Sequence, residues 1–414
     1  MVIGQLRRRD FERRSEAIGL NEPIPDNRFP TTDSRQPIPD VLYYLAQYIN
    51  ELFSPPGFGL FRFVTFRAAA AALTALLIAF VFGPKIIRRL KRLQIAEQGK
   101  KEAPKSHMAK AGTPTMGGLI VLLSLVVPAL LWCDIQSAYV LLAVVVTLFL
   151  GGVGFLDDYL KVVKKLPKGL IGRYKIVGQV AIGLVLGGTI YFFPEWFPGN
   201  YASINTYSTV PFVKDAFFNF GILYIPVVVF VLTATSNAVN LTDGLDGLAI
   251  GTVSVVALAV ALITYLSGNA VAANYLGIPH LRGIDELAIF CAALLGAGLG
   301  FLWFNAYPAQ VFMGDTGSLA LGGSIGALMI LVKKEYMIPI LGGIFFAESL
   351  SVMLQVGYFK YTKRRYGEGR RIFRRAPLHH HFEEKGWPEA KIVTRFYIVA
   401  ILLAILGLTT LKIR

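Results

Sequence analysis

The sequence is poor in charged residues and almost without cysteine. Asp, Glu, Lys and Arg make up 16% of its 414 residues, against roughly 25% in ordinary soluble domains, while 54% of the residues are hydrophobic. A soluble fold does not need this much apolar surface, so the composition indicates a polytopic membrane protein. Cys133 and Cys291 lie in or beside apolar segments far apart in the chain, which argues against a disulfide framework.

Several binding motifs are also absent. The polar segments fit neither a P-loop, nor a dinucleotide-binding fingerprint, nor the spacing of an EF-hand. The first forty residues lack the apolar core of a signal peptide. The net charge of +15 does not indicate nucleic acid, because the basic residues lie in loops between apolar runs. We therefore expect a lipid bilayer as partner, and no nucleic acid.

Long charge-free runs predict the membrane helices. A helix needs about 20 residues to cross ~30 Å of hydrocarbon. Nine runs contain no Asp, Glu, Lys or Arg, and a tenth is apolar except for Glu348. We predict an all-α polytopic membrane protein with about ten transmembrane helices and an interrupted or bent ninth helix. The runs are 68–84, 111–133, 135–156, 176–194, 216–242, 247–281, 287–314, 316–332, about 336–357, and 396–411.

The segment before the first run differs from the rest of the chain. Residues 1–40 are rich in Arg and Pro and low in apolar residues, which predicts a disordered N-terminal extension. Residues 41–59 contain tyrosines suited to a membrane surface and predict an interfacial helix. The ten-helix membrane domain then covers 60–414.

The distribution of Lys and Arg orients the predicted helices. The segments 85–110, 157–175 and 358–392 hold nine, six and ten basic residues, whereas the loops on the other side hold few. The positive-inside bias predicts that these three loops are cytoplasmic and that both termini lie outside. Alternation of the helices then brings three acidic segments and a histidine-rich loop to one membrane face.

Each acidic segment follows closely on a charge-free run. The carboxylates are Asp157-Asp158, Asp243 with Asp246, and Asp315. Adjacent carboxylates repel unless a cation compensates, and Mg²⁺ binds one or two carboxylates together with substrate phosphates. The alternative is a solvated helix end or, at Asp315, a helix cap. Gathered at one face among many basic residues, the acids indicate an enzyme site for Mg²⁺, phosphate and lipid.

Three further patterns belong to the same predicted face. The polar, turn-prone segment 237–247 interrupts two apolar runs, and is either a plain loop or the wall of a cavity. Glycines on both sides of Asp315 allow backbone N–H groups to approach an anion. His379, His380 and His381 stand together in a basic loop. Three consecutive residues rarely reach one ion, so contacts with an anionic substrate are favoured over zinc.

Five motifs occur in a fixed order along the chain. They are GTPTMGG at 112–118, Asp157-Asp158, NLTDGLDG at 240–247, FMGDTGSL at 312–319 and PLHHHFE at 377–383. Together they resemble the phospho-N-acetylmuramoyl-pentapeptide transferase family, within the polyprenyl-phosphate N-acetylhexosamine-1-phosphate transferase superfamily. The resemblance runs from about residue 41 to the C-terminus. It implies Mg²⁺-dependent transfer of phospho-MurNAc-pentapeptide from UDP to undecaprenyl phosphate, by a homodimer in the bacterial cytoplasmic membrane.

The resemblance also implies a role for each site residue. Asp315 is the first candidate Mg²⁺ ligand, with Asp158 beside it. Asp157 acts as a base on the lipid phosphate, or helps to hold that phosphate and the metal. The remaining implied residues are Lys110, Thr115, Lys161 and Asn305 for the phosphates, Gly244, Leu245, Asp246 and Phe312 for the nucleoside, with Asn240 and Asp243 in support, and His379, His380 and His381 for the sugar-peptide part.

Two alternatives and one residue stay open. A sibling transferase for UDP-GlcNAc shares the acidic motifs, but the PLHHHFE loop favours the muramoyl-pentapeptide substrate. A transporter or flippase predicts carboxylates near mid-membrane and inverted repeats. Glu348 lies inside the ninth helix, where an ionisable group is costly. It has either a functional role or a bond to an interrupted helix near Gly342-Gly343, whose bend opens a groove for the polyprenyl chain.

Overall fold

The computed structural model describes residues 58–93, 112–166, 169–213 and 217–412. Within these ranges ten helices have 15 residues or more, and each coincides with one of the predicted apolar runs. Predictions for residues 1–57 and for Lys110 fall outside the described residues. The ten helices are α1 Val64–Arg92, α2 Gly118–Trp132, α3 Ala138–Val162, α4 Gly172–Phe192, α5 Tyr224–Thr242, α6 Leu248–Gly268, α7 Glu286–Asn305, α8 Gly314–Leu331, α9 Gly343–Tyr366 and α10 Glu389–Thr409.

The prediction of an all-α polytopic membrane protein is confirmed. In the described part of the chain, eight helices are long and apolar enough to cross a membrane. The segment Glu335–Leu341 and α9 meet at an angle of 85°, so the predicted break in the ninth helix lies at Gly342. Counted as one span, this pair makes nine. α2 has 15 residues and a length of about 22 Å, which is less than the ~30 Å of a hydrocarbon core.

α8 is the central helix of the bundle. Every residue from Thr316 to Leu331 is buried, and α8 packs against α3 and α5. Its many Gly, Ala and Ser residues let neighbouring backbones approach closely, as is typical of helix packing in membranes. A hydrogen bond of 2.7 Å between the hydroxyls of Thr147 and Ser324 joins α3 to α8 in the middle of the bundle.

The helices alternate in direction, so the bundle has two distinct ends. We call the end that holds Asp158, Asn240 and Asp315 the site end. The opposite end carries a two-stranded antiparallel hairpin, β1 Tyr207–Thr209 and β2 Phe217–Asn219. The predicted convergence of the acidic segments on one end is therefore confirmed. Which membrane face this end occupies stays a prediction.

A buried group of charges, the lysine cluster, follows α8 at the opposite end. It consists of Lys333, Lys334, Glu335, Ser208 and Tyr224. Lys333 is only 2% exposed, and its Nζ donates to Tyr224 Oη at 2.9 Å and to a backbone carbonyl at 2.6 Å. Glu335 accepts hydrogen bonds from the hydroxyls of Ser208 and Tyr224. Burial lowers the pKa of Lys333 to about 7, although the Glu335 carboxylate opposes this shift.

Candidate active site

The end of α3 lies directly against the start of α8. A Cβ atom built on Gly154 would lie 2.1 Å from the backbone oxygen of Asp315. No real Cβ makes such a contact, so glycine at this position allows the two backbones to touch. Asp157 and Asp158 follow one turn later on α3, and the contact therefore places them beside the first turn of α8.

Three carboxylates and two lysines form one group, which we call the acidic cluster. Asp157, Asp158 and Asp315 each offer an oxygen within 4.8 Å of the others. Lys161 Nζ is 3.1 Å from Asp315 Oδ2 and also pairs with Asp157. Lys175 Nζ is 2.9 Å from Asp157 Oδ2 and also pairs with Asp315. Two ammonium groups thus bridge one pair of carboxylates, and one negative charge is left over.

Asp158 has a different environment from the other two acids. Its Oδ1 accepts a hydrogen bond of 3.1 Å from the backbone N–H of Asp315. Its Oδ2 accepts bonds of 2.9 and 2.6 Å from the backbone N–H and the hydroxyl of Thr316. Asp158 therefore caps the N-terminus of α8 from a neighbouring helix, and satisfies amide groups that have no partner within α8 itself.

The other predicted polar residues surround Asp315. Asn240 Nδ2, at the end of α5, donates to Asp315 Oδ1 at 2.7 Å and to Ser318 Oγ at 2.8 Å. The segment before α2 runs beside the segment before α8, since Gly117 N donates to Phe312 O and Phe312 N donates to a carbonyl of the first segment, both at 2.8 Å. Thr115 Oγ1 would lie 3.0 Å from a Cβ built on Gly314. Four of the five sequence motifs therefore meet at the acidic cluster.

The turn between α5 and α6 is held by side chains from two other helices. Asn305 Oδ1 accepts from Gly247 N at 3.1 Å, and Asn305 Nδ2 donates to Val311 O at 2.9 Å. From α10, Glu389 accepts from Asp246 N at 2.7 Å. Both ends of the Asn305 amide thus bind backbone, so this residue joins the turn to the loop before α8.

The sequence was compared with known proteins. The family model described as "Glycosyl transferase family 4" matches residues 140–333, and signature 1 of phospho-N-acetylmuramoyl-pentapeptide-transferase matches residues 110–122. Curated proteins of that name from Chloroherpeton thalassium and Chlorobaculum parvum are each 52% identical over 374 residues, which are 90% of this chain and 100% of each relative. One from Chlorobium phaeobacteroides is 50% identical over the same shares. The chain belongs to the phospho-N-acetylmuramoyl-pentapeptide transferase family.

In this member of the family, the three consecutive histidines contact three different partners. His379 Nδ1 is 3.1 Å from Glu348 Oε2, and His380 Nδ1 is 2.6 Å from Glu383 Oε2. The ring of His381 accepts a hydrogen bond of 3.1 Å from a backbone N–H. Burial lowers the pKa of His380, although the Glu383 carboxylate opposes this shift. Among the described residues, only the three aspartates of the acidic cluster come together as a group that could hold a metal ion.

The two expectations for Glu348 have different outcomes. Its carboxylate is fully buried, and both of its oxygens contact His379. The structure gives it no bond to the interrupted helix near Gly342-Gly343, so that structural interpretation is wrong. The contact with the histidine loop places Glu348 next to a predicted substrate-binding residue.

The structure brings most of the predicted site residues to the site end, and adds others. Leu245 is buried in a small apolar cluster with residues of α6 and α10, and Asp243 caps the end of α5. Residues that the sequence did not single out are Lys175, Thr316, Ser318 and Glu389. Lys175 carried a usable signal, because it ends the basic segment 157–175, and Thr316 and Ser318 lie in the FMGDTGSL motif. Glu389 lies in none of the motifs.

Proposed function

We propose that this protein transfers phospho-MurNAc-pentapeptide from its UDP carrier to undecaprenyl phosphate, giving lipid I and UMP for peptidoglycan synthesis. The observation that carries the proposal is the acidic cluster, in which three carboxylates and two lysines converge at the end of a membrane bundle. Such a position lets a water-soluble nucleotide and a lipid phosphate reach the same group of charges. Membership of the transferase family gives the substrate class.

We infer that the cluster holds Mg²⁺. Aspartate oxygens are the hard ligands that Mg²⁺ prefers, and the residual negative charge suits a divalent cation. Asp315 remains the first candidate ligand, followed by Asp158. Asp157 lies beside the same group, but its Oδ1 accepts a hydrogen bond of 2.7 Å from Leu170 N and its Oδ2 pairs with both lysines. When bound, the metal neutralises charge on the reacting phosphates.

We propose direct attack by the lipid phosphate. One of its oxygens forms a bond to the β-phosphorus of the UDP-linked substrate, while the bond from that phosphorus to the α–β bridging oxygen breaks. UMP leaves with the bridging oxygen. A phosphate monoester is already largely ionised at neutral pH, so it needs no strong base. Lys161 and Lys175 offset the negative charge that gathers during this step, and Asp157 holds both ammonium groups in place.

We assign the other predicted residues to binding. The turn Asp243–Gly247 and the ring of Phe312 form the nucleoside side, because Asn305 joins the turn to the loop that carries Phe312. Glu389 of α10 also bonds the turn. Asn240 orients Asp315, Thr115 lies over Gly314, and the histidine loop meets the sugar-peptide part. Lys110 adds a cation for the phosphates.

The test supplies purified protein with UDP-MurNAc-pentapeptide and undecaprenyl phosphate, and measures UMP with and without Mg²⁺. We expect UMP and lipid I to form only with the metal present. UDP-GlcNAc serves as the matched control substrate, and turnover of this substrate alone would replace the proposal by the sibling activity. If no UMP forms with any divalent metal, the protein is not this transferase.

We propose that the site end faces the bacterial cytoplasm, in agreement with its basic loops. Both native cysteines are buried, so a cysteine introduced at an exposed position reports sidedness. A membrane-impermeant maleimide should label Arg371→Cys only in inside-out vesicles and Ala202→Cys only in spheroplasts. The reverse pattern would invert the topology. The homodimer implied by the family is checked by light scattering in detergent.

A further inference from the structure

The bent ninth helix carries a buried acid whose carboxylate is hydrogen-bonded to one histidine. Glu348 is 0% exposed and lies six residues after Gly342, where the chain bends. Its Oε1 accepts a hydrogen bond of 3.1 Å from the backbone N–H of His379, and its Oε2 is 3.1 Å from Nδ1 of the same residue. A carboxylate in such a place is costly unless its oxygens are bonded. Here a single residue of the short helix Leu378–Glu383, which follows α9, bonds both.

With an ionised Glu348, this contact requires one tautomer of His379. An ionised carboxylate accepts hydrogen bonds and donates none, so Nδ1 must carry the hydrogen. In the neutral imidazole, Nε2 is then an acceptor with a free lone pair. The same arrangement orients metal-bound and catalytic histidines elsewhere, where a carboxylate holds one ring nitrogen and leaves the other for chemistry.

The second nitrogen of His379 is buried and has no hydrogen-bond partner. It faces the turn between α5 and α6, because a Cβ built on Gly244 would lie 2.2 Å from Nε2. Glycine is therefore required at position 244 for the ring to reach the turn. A buried acceptor without a partner lowers stability. Packing of the fold alone does not account for this unpaired nitrogen.

We propose that Glu348 is a positioning residue, which holds His379 so that Nε2 accepts a hydrogen bond from a hydroxyl or N–H group of the nucleotide-sugar substrate. The inference rests on the proposed function and adds a specificity contact to it. A phosphate is not the partner of a neutral His379, because both are acceptors. Because Nε2 faces the turn at Gly244, the substrate displaces this turn when it binds to the nitrogen. The histidine then selects for a neutral donor, and the charged groups of the acidic cluster bind the phosphates.

The test is Glu348→Gln, which keeps the size of the side chain and changes its hydrogen bonding. If the amide oxygen accepts from His379 N, the NH₂ group faces Nδ1 and moves the ring hydrogen to Nε2. We expect KM for UDP-MurNAc-pentapeptide to rise at least tenfold, while KM for undecaprenyl phosphate stays unchanged. Glu335→Gln is the control, since it alters another buried carboxylate, at the opposite end, and should leave both KM values unchanged.

A double-mutant cycle separates positioning from stability. If Glu348 acts through His379, Glu348→Gln should raise KM for the nucleotide substrate by less than twofold in a His379→Ala background. Equal effects in both backgrounds would overturn the proposal, as would an unchanged KM for the single variant. Equal rises in both KM values would also overturn it.

Nitrogen-15 NMR of histidine-labelled protein gives a readout that does not depend on activity. The signals of His379 are those that disappear in His379→Asn. They should show a protonated Nδ1 and a bare Nε2 in the free protein, and UDP-MurNAc-pentapeptide should shift the Nε2 signal. A protonated Nε2 in the free wild-type protein, or no shift on saturation with this ligand, would refute the inference. A protein that shows the tautomer and the shift but releases no UMP would instead refute the proposed function.

Discussion

The two ends of α8 carry two groups of charges that differ in their exposure to solvent. At its start, the acidic cluster opposes three carboxylates with two lysines, and Lys161 is 40% exposed. After its end, the lysine cluster is buried. Its Tyr224 hydroxyl accepts a hydrogen bond from Lys333 and donates one to Glu335. One group reaches solvent, whereas the other is buried within the protein.

This difference predicts that activity depends on the charges at the start of α8 and stability on the charges after its end. A buried group whose donors and acceptors are all paired has nothing to offer a ligand, and its loss leaves an uncompensated charge. A partly exposed group with excess charge gains from a cation or a substrate. The acidic cluster should therefore determine turnover, and the lysine cluster should determine the free energy of unfolding.

The largest expected effect is that of Asp315→Asn on activity. The change removes the first candidate metal ligand and its charge, but keeps the shape of the side chain. UMP release should fall at least about 100-fold, the size expected when an electrostatic contact to reacting groups is lost. Thermal unfolding, followed by tryptophan fluorescence, should shift little. Retained turnover would overturn the assignment of Asp315.

The opposite end should respond in the opposite way. Lys333→Met removes a cation that opposes the Glu335 charge and leaves Tyr224 Oη and a backbone carbonyl without their donor. Loss of one member of a buried charged group lowers the free energy of unfolding by about 3–5 kcal/mol. The rate of UMP release per folded molecule should stay near that of the wild type. The double variant Lys333→Met with Glu335→Gln should be more stable than the single variant. A normal unfolding temperature for Lys333→Met would remove the contrast between the ends.

Asp158→Asn should affect both properties, because Asp158 caps α8 within the acidic cluster. Loss of a cap lowers stability by about 0.5–2 kcal/mol, and the Asn amide turns a donor towards the backbone N–H of Asp315 or Thr316. We expect a fall in UMP release that is smaller than that of Asp315→Asn. We also expect a fall in unfolding temperature that is smaller than that of Lys333→Met. If activity falls as far as in Asp315→Asn with no change in stability, Asp158 is a metal ligand first.

Mg²⁺ should stabilise the protein through the acidic cluster only. At ten times its dissociation constant, a ligand that binds only the folded state adds about 1.4 kcal/mol. The metal should raise the unfolding temperature of the wild type and of Glu335→Gln, but not that of Asp315→Asn. Ca²⁺ is the comparison ion, because its larger coordination sphere fits a site of few ligands less well. Equal stabilisation of all three proteins would place the metal elsewhere.

The sequence allowed the helices and the shared end to be predicted, because both depend on one-dimensional features. Charge-free runs mark membrane spans, and alternation brings Asp157, Asn240 and Asp315 to one end whatever their distances. Side-chain partners depend on how each helix is rotated about its axis, which those features do not encode. For this reason the cap formed by Asp158 and the bond between Glu348 and His379 became visible only in three dimensions.

The close contact between Gly154 and Asp315 has a consequence for how the protein is made. Asp157 and Asp158 enter the membrane with α3, but the amide groups that Asp158 caps belong to α8, more than 150 residues later in the chain. A chain arrested before α8 therefore presents two aspartates at a helix end with no cap to form. The acidic cluster is therefore complete only once α8 has been added, because Asp315 and the amide groups that Asp158 caps belong to that helix.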